Sequence, residues 1–327
     1  MKLAIDFHPF LNFYHAGPKV FLNRLRKSII KQNICKIKTP YFPFYDIALY
    51  SVYEKNFFYK KYVLRVDGIY FDKNDTAGNT KLLNNKIFKS ISKSCGIVYI
   101  SKFSREMVHK FYGKIDIPET VIHNKVPLDI FKPIGDNYRN ELSLKKNERI
   151  LVTSAHWRRH KRLEETIDFI DFLNSQNSHK YKLIILGGEK KSFNNQNIIS
   201  IGEVSPNSLS KWYRTADIYL HLAWIEPCGN TQIEAMASGV PVICCNNGGI
   251  GETVNEASGG IVVDADMPFQ MELIDYYDPP KPNFEKLRDA VEKIYNNYNY
   301  YKNQINYDYL NIDLAANKYC EFIKKCL

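Results

Sequence analysis

Two glutamates at a regular spacing are the strongest chemical feature of this sequence. Glu226 and Glu234 stand eight residues apart in the string EPCGNTQIEAMASGVPV, which covers residues 226–242. A predicted strand, residues 218–222, precedes the string, and a predicted helix, residues 232–238, contains the second glutamate. Glu226 would then lie before the turn, where it can accept hydrogen bonds from the hydroxyls of a sugar. Glu234 would lie one helical turn in, within reach of a ribose diol.

The turn between these glutamates has the composition of an anion site. Gly229 lets the backbone approach a phosphate closely, because it carries no Cβ. Asn230 and Thr231 stand at the start of the helix, where unpaired N–H groups and the helix dipole favour negative charge. Gly229, Asn230, Thr231 and Glu234 are therefore predicted to bind a ligand that contains both phosphate and ribose.

Strands and helices alternate along the chain in the order that could position such a site. Apolar runs of strand length, for example 96–100 and 149–154, are followed by segments with helical apolar spacing, for example 163–174. This alternation predicts an α/β fold with parallel sheets, in which ligands bind at the carboxyl ends of the strands. A chain of 327 residues is long for one core, so we expect two domains, residues 1–130 and 131–310.

Positive charge is concentrated in the first half of the chain. Residues 1–135 contain 23 Lys and Arg against 10 Asp and Glu, whereas residues 136–327 contain 22 against 25. The asymmetry indicates either a solvated basic face or an anionic partner, such as a phospholipid surface, a lipid diphosphate or an acidic glycan. No nucleic-acid recognition module is present in the sequence, so no nucleic acid partner is expected. The side chains expected to meet an anionic membrane are Lys60, Lys61, Lys86, Lys89 and Lys93.

Cysteines and apolar segments indicate the compartment. The seven cysteines include no C-x-x-C pair and are typical of reduced thiols in a cytosolic protein, rather than of a disulfide framework or a zinc site. No run reaches the ~18 continuous apolar residues that a membrane-spanning helix needs. Asp6 interrupts the apolar N-terminus where a signal peptide would have its core. We expect a cytoplasmic protein, with peripheral attachment to the inner membrane face as an added expectation.

The string at 226–242 resembles the E-x7-E signature of glycosyltransferase family 4, a large retaining group with the two-domain GT-B architecture. Further segments resemble family motifs in the family order: VIHNKVPLDIFKP (121–133), AHWRRHKRL (155–163), IGEV (201–204), YRTADIYLH (213–221) and NNGGIGE (246–252). The resemblance is specific across residues 95–265. It implies two Rossmann-like domains facing a cleft, which meet only at the linker and through a C-terminal helix, residues 311–327, packed back on the first domain.

The resemblance also implies roles for single residues. Lys161 matches the family lysine that grips the donor diphosphate, and Arg158 is the expected second cation. Glu203 and Val204 match the loop that contacts the nucleobase. Gly17 matches the glycine that lies against the donor phosphate. In the signature itself, Glu226 would contact the donor sugar and Glu234 the ribose.

Asp67 departs from the family pattern. It stands in LRVDGIYFD, residues 64–72, at the place where the family usually carries a histidine. A carboxylate would not stabilise a leaving phosphate as a histidine could. Asp67 is expected instead to bind an acceptor hydroxyl.

The chemistry that the resemblance implies is transfer of a hexose from a UDP- or GDP-sugar to a glycan or lipid-linked acceptor. Lys161 and Arg158 would stabilise the negative charge that develops on the leaving nucleoside diphosphate. The family typically requires no metal, so neither a metal nor a cofactor is expected. Retention by same-face attack, with a donor phosphate oxygen accepting the acceptor's proton, is likewise a family implication.

Other functions fit the same architecture. One is a nucleotide-sugar epimerase or sugar phosphorylase, because fold does not determine function. Another is a non-catalytic nucleotide-sugar-binding protein, which the aspartate at position 67 and the short first domain favour. A dinucleotide oxidoreductase is disfavoured, because no G-x-G-x-x-G follows the first strand. His221, at the end of a predicted strand, is a further site candidate, whereas His123 and Cys228 are expected to be structural.

Overall fold

The structure is a computed structural model, and it describes residues 1–6, 17–40, 42–54, 60–75, 78–176, 179–265, 267 and 269–327. Within these ranges the chain forms two parallel sheets of six strands each, with helices packed on them. The predicted α/β class with two domains is therefore confirmed.

The first sheet is built from the N-terminal part of the chain. Its strands are β1 (Lys2–Ile5), β2 (Lys36–Lys38), β3 (Ile47–Ser51), β4 (Tyr62–Val66), β5 (Gly96–Tyr99) and β6 (Glu119–Val121). Its helices are α1 (Gly17–Lys31), α2 (Thr80–Lys93) and α3 (Lys102–Tyr112). The strand order is β2-β1-β3-β4-β5-β6. Every residue of β3, β4 and β5 is buried, as expected of parallel strands covered on both faces.

The second sheet follows the same plan. Its strands are β7 (Arg149–Ser154), β8 (Tyr181–Leu186), β9 (Ile198–Gly202), β10 (Ile218–His221), β11 (Val242–Cys245) and β12 (Gly260–Val263), in the order β12-β11-β10-β7-β8-β9. Its helices are α4 (Leu163–Gln176), α5 (Pro206–Tyr213), α6 (Thr231–Ala237), α7 (Ile250–Glu256), α8 (Phe284–Asn296), α9 (Tyr298–Asn303) and α10 (Tyr307–Leu310), and a 3₁₀ helix spans Arg159–Lys161. The order in which successive strands are added to the sheet changes direction between β7 and β10. In parallel α/β sheets such a switch point forms a crevice for ligands at the carboxyl ends of the strands.

The last helix, α11 (Ile312–Lys325), packs on the first sheet's domain rather than on the second. Tyr319 and Ile323 are fully buried in the same apolar cluster as Phe21 of α1. The hydroxyl of Ser28 on α1 donates a hydrogen bond to Asp313 over 2.7 Å. The first sheet ends at Val121 and the second begins at Arg149, which is compatible with the predicted boundary at residue 130; that boundary stays a prediction.

The expectation that the domains meet only at the linker and α11 is wrong. The Glu252 carboxylate of α7 accepts hydrogen bonds from the backbone N–H groups of Lys102 and Phe103, each over 2.8 Å, at the start of α3. A second contact joins Asp72 to Ile274 by a parallel β-bridge. Both contacts depend on backbone groups, which the sequence motifs do not reveal.

Candidate active site

A cleft of about 2450 Å³ lies between the two domains. It is lined by residues that follow strand ends in both sheets and by part of α1. The predicted site residues that line it are Gly17, Arg158, Lys161, Glu203, Val204, Glu226, Asn230, Thr231 and Glu234. His221 lines it as well. The tertiary structure thus brings together residues from the first helix, the loop after β7, the loop after β9 and the E-x7-E string.

Glu226 is held between two basic side chains. Nζ of Lys161 lies 2.5 Å from its Oε2, and Nε2 of His221 lies 2.9 Å from the same oxygen. Burial raises the pKa of Glu226, but the charge of Lys161 and the hydrogen bond with His221 outweigh burial and hold this pKa well below its usual range. The site therefore contains an ionised carboxylate beside an ammonium group.

Glu234 is buried on α6 and contacts both domains. Its Oε2 accepts a hydrogen bond from the Tyr213 hydroxyl over 3.0 Å. Its Oε1 pairs with Nη2 of Arg24 over 2.7 Å, and Arg24 belongs to α1 of the first domain. The predicted ribose-binding glutamate is thus fixed by a partner that no motif in the sequence indicates.

Asn230 links the two domains at the same wall of the cleft. Its side-chain amide donates to the backbone carbonyl of Gly17 over 3.1 Å, and its Oδ1 accepts a hydrogen bond from Asn124 over 3.0 Å. The adjacent Thr231 accepts a hydrogen bond from the Tyr219 hydroxyl over 2.7 Å. Gly17 and Asn230, each predicted to bind the donor, are therefore in direct contact.

Gly229 is not among the described residues that line the cleft. A Cβ at this position would lie 2.3 Å from Oε1 of Gln232, so any larger residue would require the Gln232 side chain to move. Its predicted approach to phosphate stays a prediction.

Asp67 also lies outside the set of described cleft-lining residues. Its carboxylate pairs with Arg65, a fully buried side chain that also donates to Asn124 Oδ1 over 2.8 Å. Burial raises the pKa of Asp67, and the Arg65 guanidinium opposes that effect. In this arrangement the carboxylate forms an ion pair inside the protein. Its contact with an acceptor hydroxyl stays a prediction.

Two aromatic residues of the cleft wall were missed from the sequence. His160 is buried and stacks on Tyr276 with ring centroids 4.2 Å apart, and both line the cleft. Burial, together with the neighbouring Lys161, lowers the pKa of His160 to about 3, so its ring is neutral near pH 7. His160 lies inside the segment 155–163, but Tyr276 is far from any motif and no sequence signal could have selected it.

Neither of the two residues expected to be structural is among the described residues that line the cleft. His123 contacts Glu252 over 2.9 Å and the Tyr309 hydroxyl over 3.0 Å. Cys228 is buried, and burial raises the pKa of its thiol to about 12, which disfavours a nucleophilic thiolate.

Within the described ranges, no group of three or more His, Cys, Asp or Glu side chains is placed to hold a metal ion. In that part of the chain, no helix is both long enough and apolar enough to cross a membrane.

A family model described as glycosyl transferases group 1 matches residues 135–310, more than half of the chain. The matched range contains Lys161, the Glu226–Glu234 pair and the second sheet. The chain belongs to the group 1 glycosyltransferase family.

Relatives of this group 1 chain include an uncharacterized glycosyltransferase from Methanocaldococcus jannaschii, which is 23% identical over 61% of this chain and 53% of the relative. The chain spans about half or less of the length of the first curated relatives it matches. Solved structures with a similar fold include HepE from Anabaena with UDP-glucose, at 13% identity and a TM-score of 0.65 over 100% of this chain and 99% of that one. Sucrose-phosphate synthase from Thermosynechococcus elongatus has 16% identity and a TM-score of 0.64 over 98% of this chain and 80% of that one. At these identities the likeness shows the fold, and the predicted GT-B architecture is confirmed.

Proposed function

We propose that this protein transfers a hexose, with retention, from a UDP- or GDP-sugar to a glycan or lipid-linked acceptor. The observation that carries the proposal is that Glu226 and Glu234 line one interdomain cleft, the first paired with Lys161 and the second buried next to Tyr213. Along a nucleoside diphosphate sugar, the sugar presents hydroxyls, the diphosphate presents negative charge, and the ribose presents two further hydroxyls. The carboxylates and the ammonium group are the matching partners.

Donor binding is assigned to the wall formed by the second domain. Glu234 would accept the two hydroxyls of the ribose, and Glu226 would accept hydroxyls of the donor sugar. Glu203 and Val204 line the cleft after β9, where they would contact the base. HepE, which shares the fold, was solved with UDP-glucose, and this supports a nucleotide sugar as the ligand of the cleft.

The transfer step needs stabilisation of the leaving diphosphate. Lys161 can donate a hydrogen bond to a phosphate oxygen and also maintain its hydrogen bond to Glu226, because an ammonium group has three donors. Arg158 is exposed on the same wall and supplies a second positive charge. With these two cations, we propose that the bond between the anomeric carbon and the phosphate oxygen breaks without a metal ion. The acceptor oxygen would bond to the same face, and its proton would pass to the departing phosphate.

The basic first domain is proposed to face the acceptor. Lys86 and Lys89 are exposed on α2, as an anionic surface would require. The prediction that Lys60 is exposed is wrong: it is half-buried and donates to the backbone carbonyl of Tyr45 over 2.7 Å. Lys61 donates to the carbonyl of Leu327 over 2.6 Å, and Lys93 pairs with Glu54 over 3.7 Å. Attachment to a membrane surface is a proposal that depends on this face, whereas the proposed cytoplasmic location depends on the cysteine pattern.

A panel of UDP-, GDP-, ADP- and TDP-sugars in a thermal-shift assay tests the proposed donor. A ligand at 100 times its dissociation constant adds about 2.7 kcal/mol to the free energy of unfolding. We expect a shift with at least one UDP- or GDP-sugar and a smaller shift with the matching nucleoside monophosphate. If no nucleotide sugar changes the melting temperature at millimolar concentration, the proposal is rejected.

One specific observation favours a second candidate function. Asp67 is engaged by Arg65 at the place where the family usually carries a histidine. A protein that binds nucleotide sugars without transferring them would tolerate this change. Tight donor binding with no turnover against glycan and lipid-linked acceptors, and no donor hydrolysis, would select that candidate.

A further inference from the structure

Arg24 reaches from the first domain to the glutamate that we assign to ribose. It lies on α1, and its Nη2 is 2.7 Å from Oε1 of Glu234 on α6. The two residues are 210 positions apart in the chain. Both line the interdomain cleft.

The surroundings of this ion pair restrict its movement. The side chain of Arg24 is 12% exposed and that of Glu234 is 4% exposed. The guanidinium carbon lies 5.0 Å from the centre of the Phe131 ring, a distance at which the flat cation and the ring attract each other. Nη1 of Arg24 is buried and has no hydrogen-bond partner among the described residues.

We infer that Arg24 is a positioning residue for ribose recognition, and that it acts by orienting and charge-balancing Glu234. The inference rests on the proposed function and deepens it. It implies that the ribose site contains a residue from each domain and is complete only where α1 and α6 meet.

The argument starts from what a carboxylate can accept. Its two oxygens offer about four lone-pair positions. The hydroxyl of Tyr213 takes one on Oε2 and Arg24 takes one on Oε1, which leaves one on each oxygen for a vicinal diol. Two fixed donors on opposite oxygens therefore set the plane of the carboxylate before a ribose arrives.

Burial gives the same conclusion. An ionised carboxylate that is removed from water needs a charged partner, and loss of one partner of a buried pair leaves an uncompensated charge. Among the described ion pairs, Arg24 is the cation paired with Glu234. Without it, Glu234 would keep the neutral Tyr213 donor but lose both its counter-charge and one of its fixed hydrogen bonds.

The test compares ribose with a sugar that lacks the diol. Dissociation constants of UDP and GDP, and of their 2′,3′-dideoxy forms, are measured by calorimetry for the full chain and its variants. For the wild type we expect the ribose form of the accepted nucleotide to bind about 10- to 100-fold more tightly than the dideoxy form. Glu234→Gln should remove most of this ratio, which identifies Glu234 as the residue that reads the diol.

Arg24→Ala should weaken the ribose form about tenfold and the dideoxy form less than about twofold, so the ratio falls as in Glu234→Gln. Arg24→Lys should restore part of the ratio, because it returns the charge but not the forked geometry. Combining Arg24→Ala with Glu234→Gln should add little, because the two residues act as one unit. Arg139→Ala is the matched control: it removes a similar pair with Asp217, 2.6 Å long, outside the described cleft wall.

Three results would overturn the inference. An equal loss for both nucleotide forms would mean that Arg24 has only a structural role. Tighter binding of the ribose form would mean that Arg24 competes with ribose, and unchanged affinity for both forms would mean that it has no role in reading the diol. If Arg24→Ala does not fold, Arg24→Lys and Arg24→Gln are judged by the same ratio.

A wild type that binds neither nucleotide would reject the proposed function itself, whereas a wild-type ratio that persists in these variants rejects the role of Arg24 alone.

Discussion

Nζ of Lys161 lies 2.5 Å from Oε2 of Glu226, although the two residues are 65 positions apart. The 3₁₀ turn after β7 carries the lysine, and the loop after β10 carries the glutamate. Since β7 and β10 are adjacent parallel strands, their carboxyl ends bring these loops to the same edge of the sheet. The pair places a positively charged ammonium group and an ionised carboxylate, which is a hydrogen-bond acceptor, in direct contact inside the cleft.

Replacement of Lys161 should affect the transfer step most. We expect Lys161→Ala to lower kcat by about 10²–10³, the usual loss when one stabiliser of developing charge is removed. Binding of the uncharged nucleoside should change little, because in the proposed arrangement the ammonium group serves the diphosphate and not the nucleoside. Both quantities are measured below the melting temperature of the variant, since among the described residues His221 would be the one remaining partner of the Glu226 side chain. Normal turnover in Lys161→Ala, with a large loss in Arg158→Ala, would transfer the role to Arg158.

Replacement of Glu234 should weaken nucleotide binding as well as turnover. If Glu234 accepts the ribose hydroxyls as proposed, Glu234→Ala removes a charged acceptor, which corresponds to roughly 1.5–3 kcal/mol of binding free energy. Calorimetry with UDP and GDP measures this loss directly. Glu203→Ala is a useful comparison, because it lies at the predicted base contact rather than at the ribose. Unchanged nucleotide affinity in Glu234→Ala would remove this residue from the donor site.

His160 should make the free energy of unfolding depend on pH. Its pKa is about 3 in the folded protein, against about 6.5 in an unfolded chain. Between these values the unfolded state binds a proton that the folded state does not, so stability falls as the pH drops from 6.5 towards 3. Urea unfolding at several pH values should show a slope that His160→Gln reduces by up to about 1.4 kcal/mol per pH unit. The exposed His179→Gln serves as the control, and an identical slope in His160→Gln would contradict the assignment.

The basic face of the first domain predicts salt-dependent binding to anionic vesicles. Each lysine near such a surface contributes about 1 kcal/mol, screened over about 8 Å at physiological salt. Co-sedimentation should therefore appear at low salt, fade as salt rises, and weaken in Lys86→Glu with Lys89→Glu. The same charge change at Lys145 and Lys146, which are exposed on the second domain, is the control. Equal absence of binding to anionic and neutral vesicles at low salt would leave a soluble acidic acceptor as the partner of this face.

Local patterns were sufficient to predict the elements that carry the site. The strand 149–154 and the helix around Glu234 could be predicted because apolar periodicity and turn residues act within a few positions of the chain. The segment NNGGIGE (246–252) resembles a family motif, but its pattern did not predict that α7 begins within it, at Ile250. The start of that helix could not be predicted from the residue pattern, because it follows two successive glycines and glycine has a low helix propensity.

Residue types at short spacing were enough to predict the alternating α/β architecture and the likeness of residues 226–242 to a nucleotide-sugar signature. The folded chain was needed to identify the partners of the acidic residues: Arg24 for Glu234, Lys161 and His221 for Glu226, and Arg65 for Asp67. Arg24 and Glu234 are 210 positions apart and Lys161 and Glu226 are 65 apart, whereas His221 and Arg65 lie within five positions of their partners. The two long-range contacts are produced by domain packing and strand order, which bring distant parts of the chain together regardless of their separation in the sequence.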